Sequence, residues 1–218
     1  MNRDRILIVC GGECGADFLN KVWNSFRPDL VIAADGALRV LSLAGRTCDI
    51  AVGDFDTVEP DLLSAFVSQG TRVERHPPEK DETDSELAMR LALQFRPLQI
   101  RLLGALGGRF DHALVNVRLL PQAEAAGARC IIEDRHSRLF LLRSGGTVAR
   151  DPEYRYFSLF PMSDRVENLC ITGTKYELRN YTAKREETPG FLVSDEIVGE
   201  RALVTYDSGV LLAVLSRD

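Results

Sequence analysis

Aspartates recur at one kind of place in this 218-residue chain, just after short apolar runs. Asp35 follows Leu30 to Ala34, and Asp54 and Asp56 follow Asp49 to Val52. Asp81 and Asp84 come after Thr71 to Glu74, Asp111 after Ile100 to Leu103, and Asp134 after Cys130 to Glu133. If those runs are parallel strands, the carboxylates gather on one rim, outside the strand ends where ligands of α/β sheets bind. Taken singly, an aspartate between a strand and a helix is usually an N-cap that satisfies free backbone N–H groups. Thr83 with Glu86 fits such a structural role, as an S/T-x-x-E capping box. Taken together, five or six carboxylates on one rim repel one another, with few basic residues nearby to offset them. A hard cation such as Mg²⁺ resolves that conflict, because it takes oxygen ligands and bridges carboxylates to phosphates.

The segment Gly104-Ala105-Leu106-Gly107-Gly108-Arg109-Phe110-Asp111-His112 complements the acidic set. Gly107 and Gly108 let backbone approach a phosphate closely, and the N–H groups of a following helix point at the anion. Arg109 offers a bidentate fork to phosphate oxygens. His112 either orients a neighbour or simply rides on the helix. No GxxxxGK[ST] occurs, so the phosphate site is not a P-loop.

The elements that must position these residues alternate. Strand-like runs begin at Arg5 to Cys10, a glycine turn follows at Gly11-Gly12, and a helical pattern carries Phe18, Val22 and Phe26. Further helices are expected over Ala37 to Leu43, Pro60 to Val67, Thr83 to Phe95 and Asp111 to Ala126. Such alternation predicts an α/β domain, a mostly parallel Rossmann-like sheet with flanking helices. Trp23, the one tryptophan, falls in the first helix and reads as core packing.

Between Arg135 and Gly146 the pattern changes, and we draw the boundary at residues 138 and 139. Beyond it short β-like runs recur at Tyr156 to Phe160, Val166 to Ile171, Leu192 to Ser194, Ala202 to Tyr206 and Val210 to Leu215. Turn clusters separate them, which suggests a C-terminal β-sandwich domain.

A net charge of −5 makes bare nucleic acid a poor partner. Five cysteines without metal-site spacing read as free thiols of a reducing compartment. No stretch reaches the roughly 18 apolar residues of a membrane span, and the expected location is the cytoplasm.

In this order the motifs resemble those of the thiamin pyrophosphokinase family. They are Ala34-Asp35-Gly36, Gly53-Asp54-Phe55-Asp56-Thr57, Asp81-Glu82-Thr83-Asp84-Ser85-Glu86 and Gly107-Gly108-Arg109-Phe110-Asp111-His112. In the C-terminal half Ser158-Leu159-Phe160-Pro161, Thr172 to Leu178 and Val193-Ser194-Asp195-Glu196 extend the likeness. The resemblance implies transfer of pyrophosphate from ATP to the hydroxyl of thiamin, releasing AMP. It implies that Asp54, Asp56 and Asp84 hold Mg²⁺ and the triphosphate, with Asp35, Gly36 and Asp81 close by. Arg109 and Asp111 belong to the same phosphate region, and Ser194 and Asp195 to the thiamin pocket. It also implies a homodimer with active sites between subunits. Two departures stand out: the family usually has Ser-Asn-Glu at Ser194-Asp195-Glu196 and Gly-Leu-Lys-Tyr at Gly173-Thr174-Lys175-Tyr176. An aspartate for asparagine swaps a donor–acceptor amide for a carboxylate, which suits a cationic thiazolium or alters acceptor preference.

Two other readings compete. Asp54-Phe55-Asp56-Thr57-Val58 matches the DxDx[TV] signature of haloacid-dehalogenase-like phosphatases, whose first aspartate is a nucleophile. That reading leaves Gly107 to His112 and the β-rich C-terminal third without a role. A non-catalytic nucleotide or thiamin-binding protein is the other, and the full set of carboxylates argues against it.

Overall fold

A computed structural model describes residues 3–77, 79, 81–187, 190 and 192–218. The chain divides into two compact units, Met1–Arg135 and His136–Asp218. The division falls a little before the boundary expected from sequence, because the first strand of the second unit already begins at Ser137.

The first unit is built from strands β1 (Arg5–Val9), β2 (Leu30–Ala34), β3 (Ile50–Gly53), β4 (Arg72–Arg75), β5 (Gln99–Leu103) and β6 (Arg129–Glu133). They lie in the order β6-β5-β1-β2-β3-β4. Every pairing among them is parallel. Helices α1 (Ala16–Phe26), α2 (Ala37–Leu43), α3 (Pro60–Ser68), α4 (Asp84–Gln94) and α5 (Phe110–Ala125) connect them. Strands buried on both faces are apolar throughout rather than alternating; β2 is LVIAA and every residue of it is buried. The core on one side joins Leu7, Val9 and Val31 to Phe18, Val22 and Phe26 of α1, with Trp23 packed partly buried against it.

Strand order decides where a ligand can go. From β1 the chain steps one way through β2, β3 and β4, and β5 and β6 lie on the other side. At such a switch point the loops diverge and leave a crevice at the carboxyl ends of the strands. Asp35, Asp54 and the Gly104 loop all leave strands at that end.

The second unit is all β. One sheet has the order β12 (Asp195–Glu196), β9 (Tyr156–Pro161), β14 (Leu211–Ser216), β7 (Ser137–Leu142). The other has the order β11 (Leu178–Lys184), β10 (Arg165–Thr172), β13 (Arg201–Thr205), β8 (Gly146–Ala149). All their pairings are antiparallel. The sheet that contains β8, β10 and β13 alternates as a half-buried sheet should, with Val148, Val166, Leu169, Ile171, Ala202 and Val204 turned inward.

Two sequence expectations are corrected here. The run Leu192 to Ser194 is not a strand; it forms a turn before β12, and Ser194 has φ 61. β11 was not expected, because it is an edge strand of largely polar residues with only Ala183 buried.

Candidate active site

The crevice at the switch point holds a cavity of about 720 Å³. Its walls come from four loops and the starts of two helices: Gly11 and Gly12 after β1, Asp35 and Gly36 after β2, Asp54 and Thr57 after β3, Gly104, Ala105 and Gly107 to Arg109 after β5, Thr83 to Ser85 at α4, and His112 on α5. The β1 and β5 loops are pressed together. A Cβ on Gly12 would lie 2.5 Å from the Gly104 carbonyl oxygen, and Gly104 itself has φ +65 and would put a Cβ 2.4 Å from that of Cys10. Only glycine allows that approach and that backbone.

The acidic cluster is made by two adjacent strands. Asp35 follows β2 in a left-handed conformation, φ 43, which aspartate tolerates better than most residues. Its carboxylate accepts the Phe55 N–H at 3.0 Å and the Thr57 hydroxyl at 2.9 Å. Phe55 is also left-handed, φ 61, which is a strained state for a bulky residue. Two things hold it there: the bond to Asp35, and a buried ring at 6% exposure that belongs to the core. With Phe55 turned inward, Asp54 lines the cavity, whereas Asp56 is exposed beside it and lies outside the lining. Asp54 accepts the Asp56 N–H at 3.1 Å, closing a tight turn. Oxygen atoms of Asp35, Asp54 and Asp56 all lie within 4.8 Å of one another.

Such proximity shows in the titration of Asp56. The negative charge of Asp54 first, then desolvation, pushes its carboxyl above the usual range. An oxygen-only donor set with mutual repulsion fits a hard divalent cation, which would remove the repulsion. Asp84 lines the same cavity at the start of α4, outside the tight group. Its helix begins with the capping box expected from sequence. The Thr83 hydroxyl accepts the Glu86 N–H at 3.3 Å, and the Glu86 carboxylate accepts the Thr83 N–H at 2.8 Å.

Two arginines brace the aspartate loop. Arg39, on α2, donates to Glu59 at 3.1 Å and to the Thr57 carbonyl. Arg75, at the end of β4, donates to the Asp54 carbonyl at 3.4 Å and lies 5.4 Å from the Phe55 ring centre. Arg39 lines the cavity and was missed in the sequence, since nothing near it in the chain marks it.

At the other side, Arg109 caps α5 and folds back on Asp111, with Nε and Nη2 donating at 3.2 and 2.5 Å. This pairing draws the Asp111 carboxyl below the usual carboxylate range. Arg109, Gly107, Gly108 and His112 line the cavity, whereas Asp111 reaches it only through Arg109. Asp81 is exposed and lies outside the lining. Asn116, one turn beyond His112 on α5, lines the cavity and was not singled out in the sequence.

The second unit has its own cavity, about 320 Å³, walled by Phe157, Leu159, Ile171, Tyr176, Leu192 and Asp195. Asp195 accepts the Tyr176 N–H at 3.2 Å and the Glu196 N–H at 2.7 Å, so its position is fixed by backbone. Ser194 stands between two lining residues, Val193 and Asp195, without lining the cavity itself, and its N–H donates to Ser158 at 2.9 Å. A largely apolar pocket lined by two carboxylate residues, Asp195 and Glu177, suits a flat cationic molecule.

Comparison with known proteins agrees with this division. Residues 19–132 match the family described as thiamin pyrophosphokinase, catalytic domain, and residues 147–211 its vitamin B1 binding domain. A thiamine pyrophosphokinase of Bacillus subtilis is 29% identical over 190 residues, 87% of this chain and 88% of that protein. The crystal structure of a thiamine pyrophosphokinase from the same organism superposes with a TM-score of 0.87, covering 98% of this chain and 99% of that one at 27% identity. A thiamin pyrophosphokinase structure from Geobacillus thermodenitrificans gives 0.81 at 30% identity, covering 98% of both chains. With the catalytic-domain match alone spanning more than half of its residues, the chain belongs to the thiamin pyrophosphokinase family.

Proposed function

We propose that the first unit performs the family's diphosphotransfer in the cavity beneath the Asp35–Asp54–Asp56 cluster. The three converging carboxylates are the observation that supports this reading most strongly. As an ATP-dependent diphosphotransferase, the chain moves a pyrophosphate unit from ATP to thiamin. The hydroxyethyl oxygen of thiamin attacks the β-phosphorus. A new O–P bond forms, the bond from the β-phosphorus to the α,β-bridging oxygen breaks, and AMP leaves with that oxygen.

The protein's task is positioning and charge neutralisation, as little covalent chemistry is needed. Asp35, Asp54 and Asp56 would hold Mg²⁺, with Asp84 on the same wall. Bound there, the ion supplies neutralisation of the phosphate oxygens and a template for in-line attack. The glycine loop brings backbone close to the phosphates. Arg109 has to exchange its bond with Asp111 for phosphate oxygens, and Asp111 then keeps the guanidinium within reach. A carboxylate among Asp54, Asp56 and Asp84 takes the hydroxyl proton. Asp81 stays near the triphosphate only as a peripheral charge.

The cavity of the second unit receives the thiamin rings, with Asp195 facing the positive thiazolium and Ser194 at its edge. In this reading the protein works as a homodimer with active sites between subunits, in the cytoplasm; its five free cysteines accord with a reducing compartment. Among the described residues no helix is long and apolar enough to cross a membrane.

Product analysis tests the reading. With Mg-ATP and thiamin, equal amounts of AMP and thiamin pyrophosphate are expected by mass spectrometry. ADP with thiamin monophosphate would refute pyrophosphate transfer. Free phosphate formed without thiamin would favour a phosphohydrolase using Asp54 as nucleophile.

A further inference from the structure

Among the described residues, Asn116 is the one buried polar side chain of the catalytic cavity whose bonding is half complete. It is 5% exposed on α5 and lines the cavity. Its Nδ2 donates to the Ala105 carbonyl at 2.8 Å, which fixes the amide's orientation, since the reverse would set carbonyl against carbonyl. The remaining Oδ1 is buried and has no hydrogen-bond partner among the described residues. A buried acceptor left without a donor is costly, and such groups in native proteins call for a specific explanation.

The chemistry of the missing partner follows from the atom. Oδ1 accepts and cannot donate, so it needs an N–H or O–H. Phosphate oxygens near neutral pH are themselves acceptors and do not meet that need. The aspartate cluster follows β2 and β3, whereas Ala105 follows β5. In the strand order β5-β1-β2-β3, the outer two are three spacings apart, roughly 14 Å at about 4.8 Å per strand. A nucleotide with its phosphates at the carboxylates can reach the Asn116 side of the same cavity with its nucleoside.

We infer that Asn116 is a specificity-determining residue whose Oδ1 accepts a hydrogen bond from the nucleoside part of the donor nucleotide, from a ribose hydroxyl or a base amine. The inference rests on the reading of this cavity as a nucleotide site. It makes recognition of the nucleoside depend on a side chain anchored by the same glycine loop that faces the phosphates, so both ends of the nucleotide are registered against one backbone segment.

Steady-state kinetics with the full chain test it, comparing ATP with 2′-deoxy-ATP, 3′-deoxy-ATP and purine riboside triphosphate, which lacks the base amine. One of the three should show a KM about tenfold above that of ATP, with kcat changed much less. Asn116→Leu should raise the KM for ATP by a similar factor and lose discrimination against that analogue alone. Equal KM values for all four nucleotides with the natural protein would overturn the inference, and that result needs no variant. Discrimination unchanged in Asn116→Leu would also overturn it, as would a rise in the KM for thiamin rather than for ATP. If ATP itself is not used, the reading of the cavity fails; if ATP is used and the analogues behave alike, only the role of Asn116 fails.

Discussion

Asp35 and Thr57 are joined by a 2.9 Å hydrogen bond between the ends of neighbouring strands, so one member of the carboxylate cluster holds the loop that carries the other two. Asp35 is both a candidate ligand and a brace. Its second oxygen takes the Phe55 N–H, and Phe55 is the residue whose side chain turns inward between Asp54 and Asp56.

Removing the brace without touching a carboxylate separates those roles. Thr57→Val deletes one hydrogen bond to a charged acceptor, an exposed one that water can replace at little net cost in stability. We expect the Mg²⁺ concentration for half-maximal rate to rise several-fold and turnover to fall by about tenfold, with thermal unfolding nearly unchanged because Thr57 is exposed. Metal titration of activity checks this; an unchanged titration would mean that the loop keeps its shape without Thr57.

The capping box makes a different prediction. Thr83→Ala removes the N-cap acceptor of α4 and should cost about 1 kcal/mol, lowering the melting temperature by about 2–4 °C. Asp84 is the first residue of that helix, so fraying should also raise the KM for Mg-ATP. A loss of stability with kinetics untouched would show that Asp84 does not depend on the cap.

Much of this was legible in the sequence. Buried parallel strands are continuous apolar runs, and the carboxylates that follow β2 to β6 are visible as a pattern; the capping box is a fixed spacing and was read directly. What was not legible depends on which elements become neighbours. Asp35 joins Asp54 and Asp56 because β2 and β3 are adjacent, whereas Asp84 arrives on a helix that starts after β4. Asn116 and Arg39 gain their roles from loops far away in sequence, at Ala105 and at Thr57 to Glu59. β11 was missed since an exposed edge strand has little reason to be apolar.

Asp195, in the cavity of the second unit, makes a separate prediction. Asp195→Asn keeps a carbonyl oxygen to accept the Tyr176 and Glu196 N–H groups and removes only the charge. We expect the KM for thiamin to rise several-fold, and its salt dependence to weaken, with folding intact. An equal KM at all salt concentrations would show that the carboxylate does not face the cation.

Alkaline stability follows from three buried thiols. Burial pushes Cys10, Cys48 and Cys130 up to about 12, against 9.0 for the free group. A group whose folded pKa is raised contributes its stability fully below the unfolded value and loses it as pH rises through the folded one. The window is therefore pH 9 to 12, in which each buried thiol makes stability fall as pH rises. Urea unfolding across that range should steepen accordingly, and Cys130→Ala should reduce the slope by about one thiol's share. A slope indifferent to Cys130 would contradict its assignment as a buried neutral thiol.

The central claim is that the carboxylates after β2 and β3 drive the transfer, and Asp54→Asn tests it most directly. Asparagine keeps the oxygen that accepts the Asp56 N–H at 3.1 Å, so the turn should survive, and loss of a like charge should leave the melting temperature equal or higher. The measurement is the rate of thiamin pyrophosphate formation at saturating Mg²⁺ and ATP, with circular dichroism melting on the same samples. The account predicts a fall in turnover of about 10²–10³-fold in a fully folded protein. Turnover within a few-fold of the natural enzyme, with folding unchanged, would contradict it.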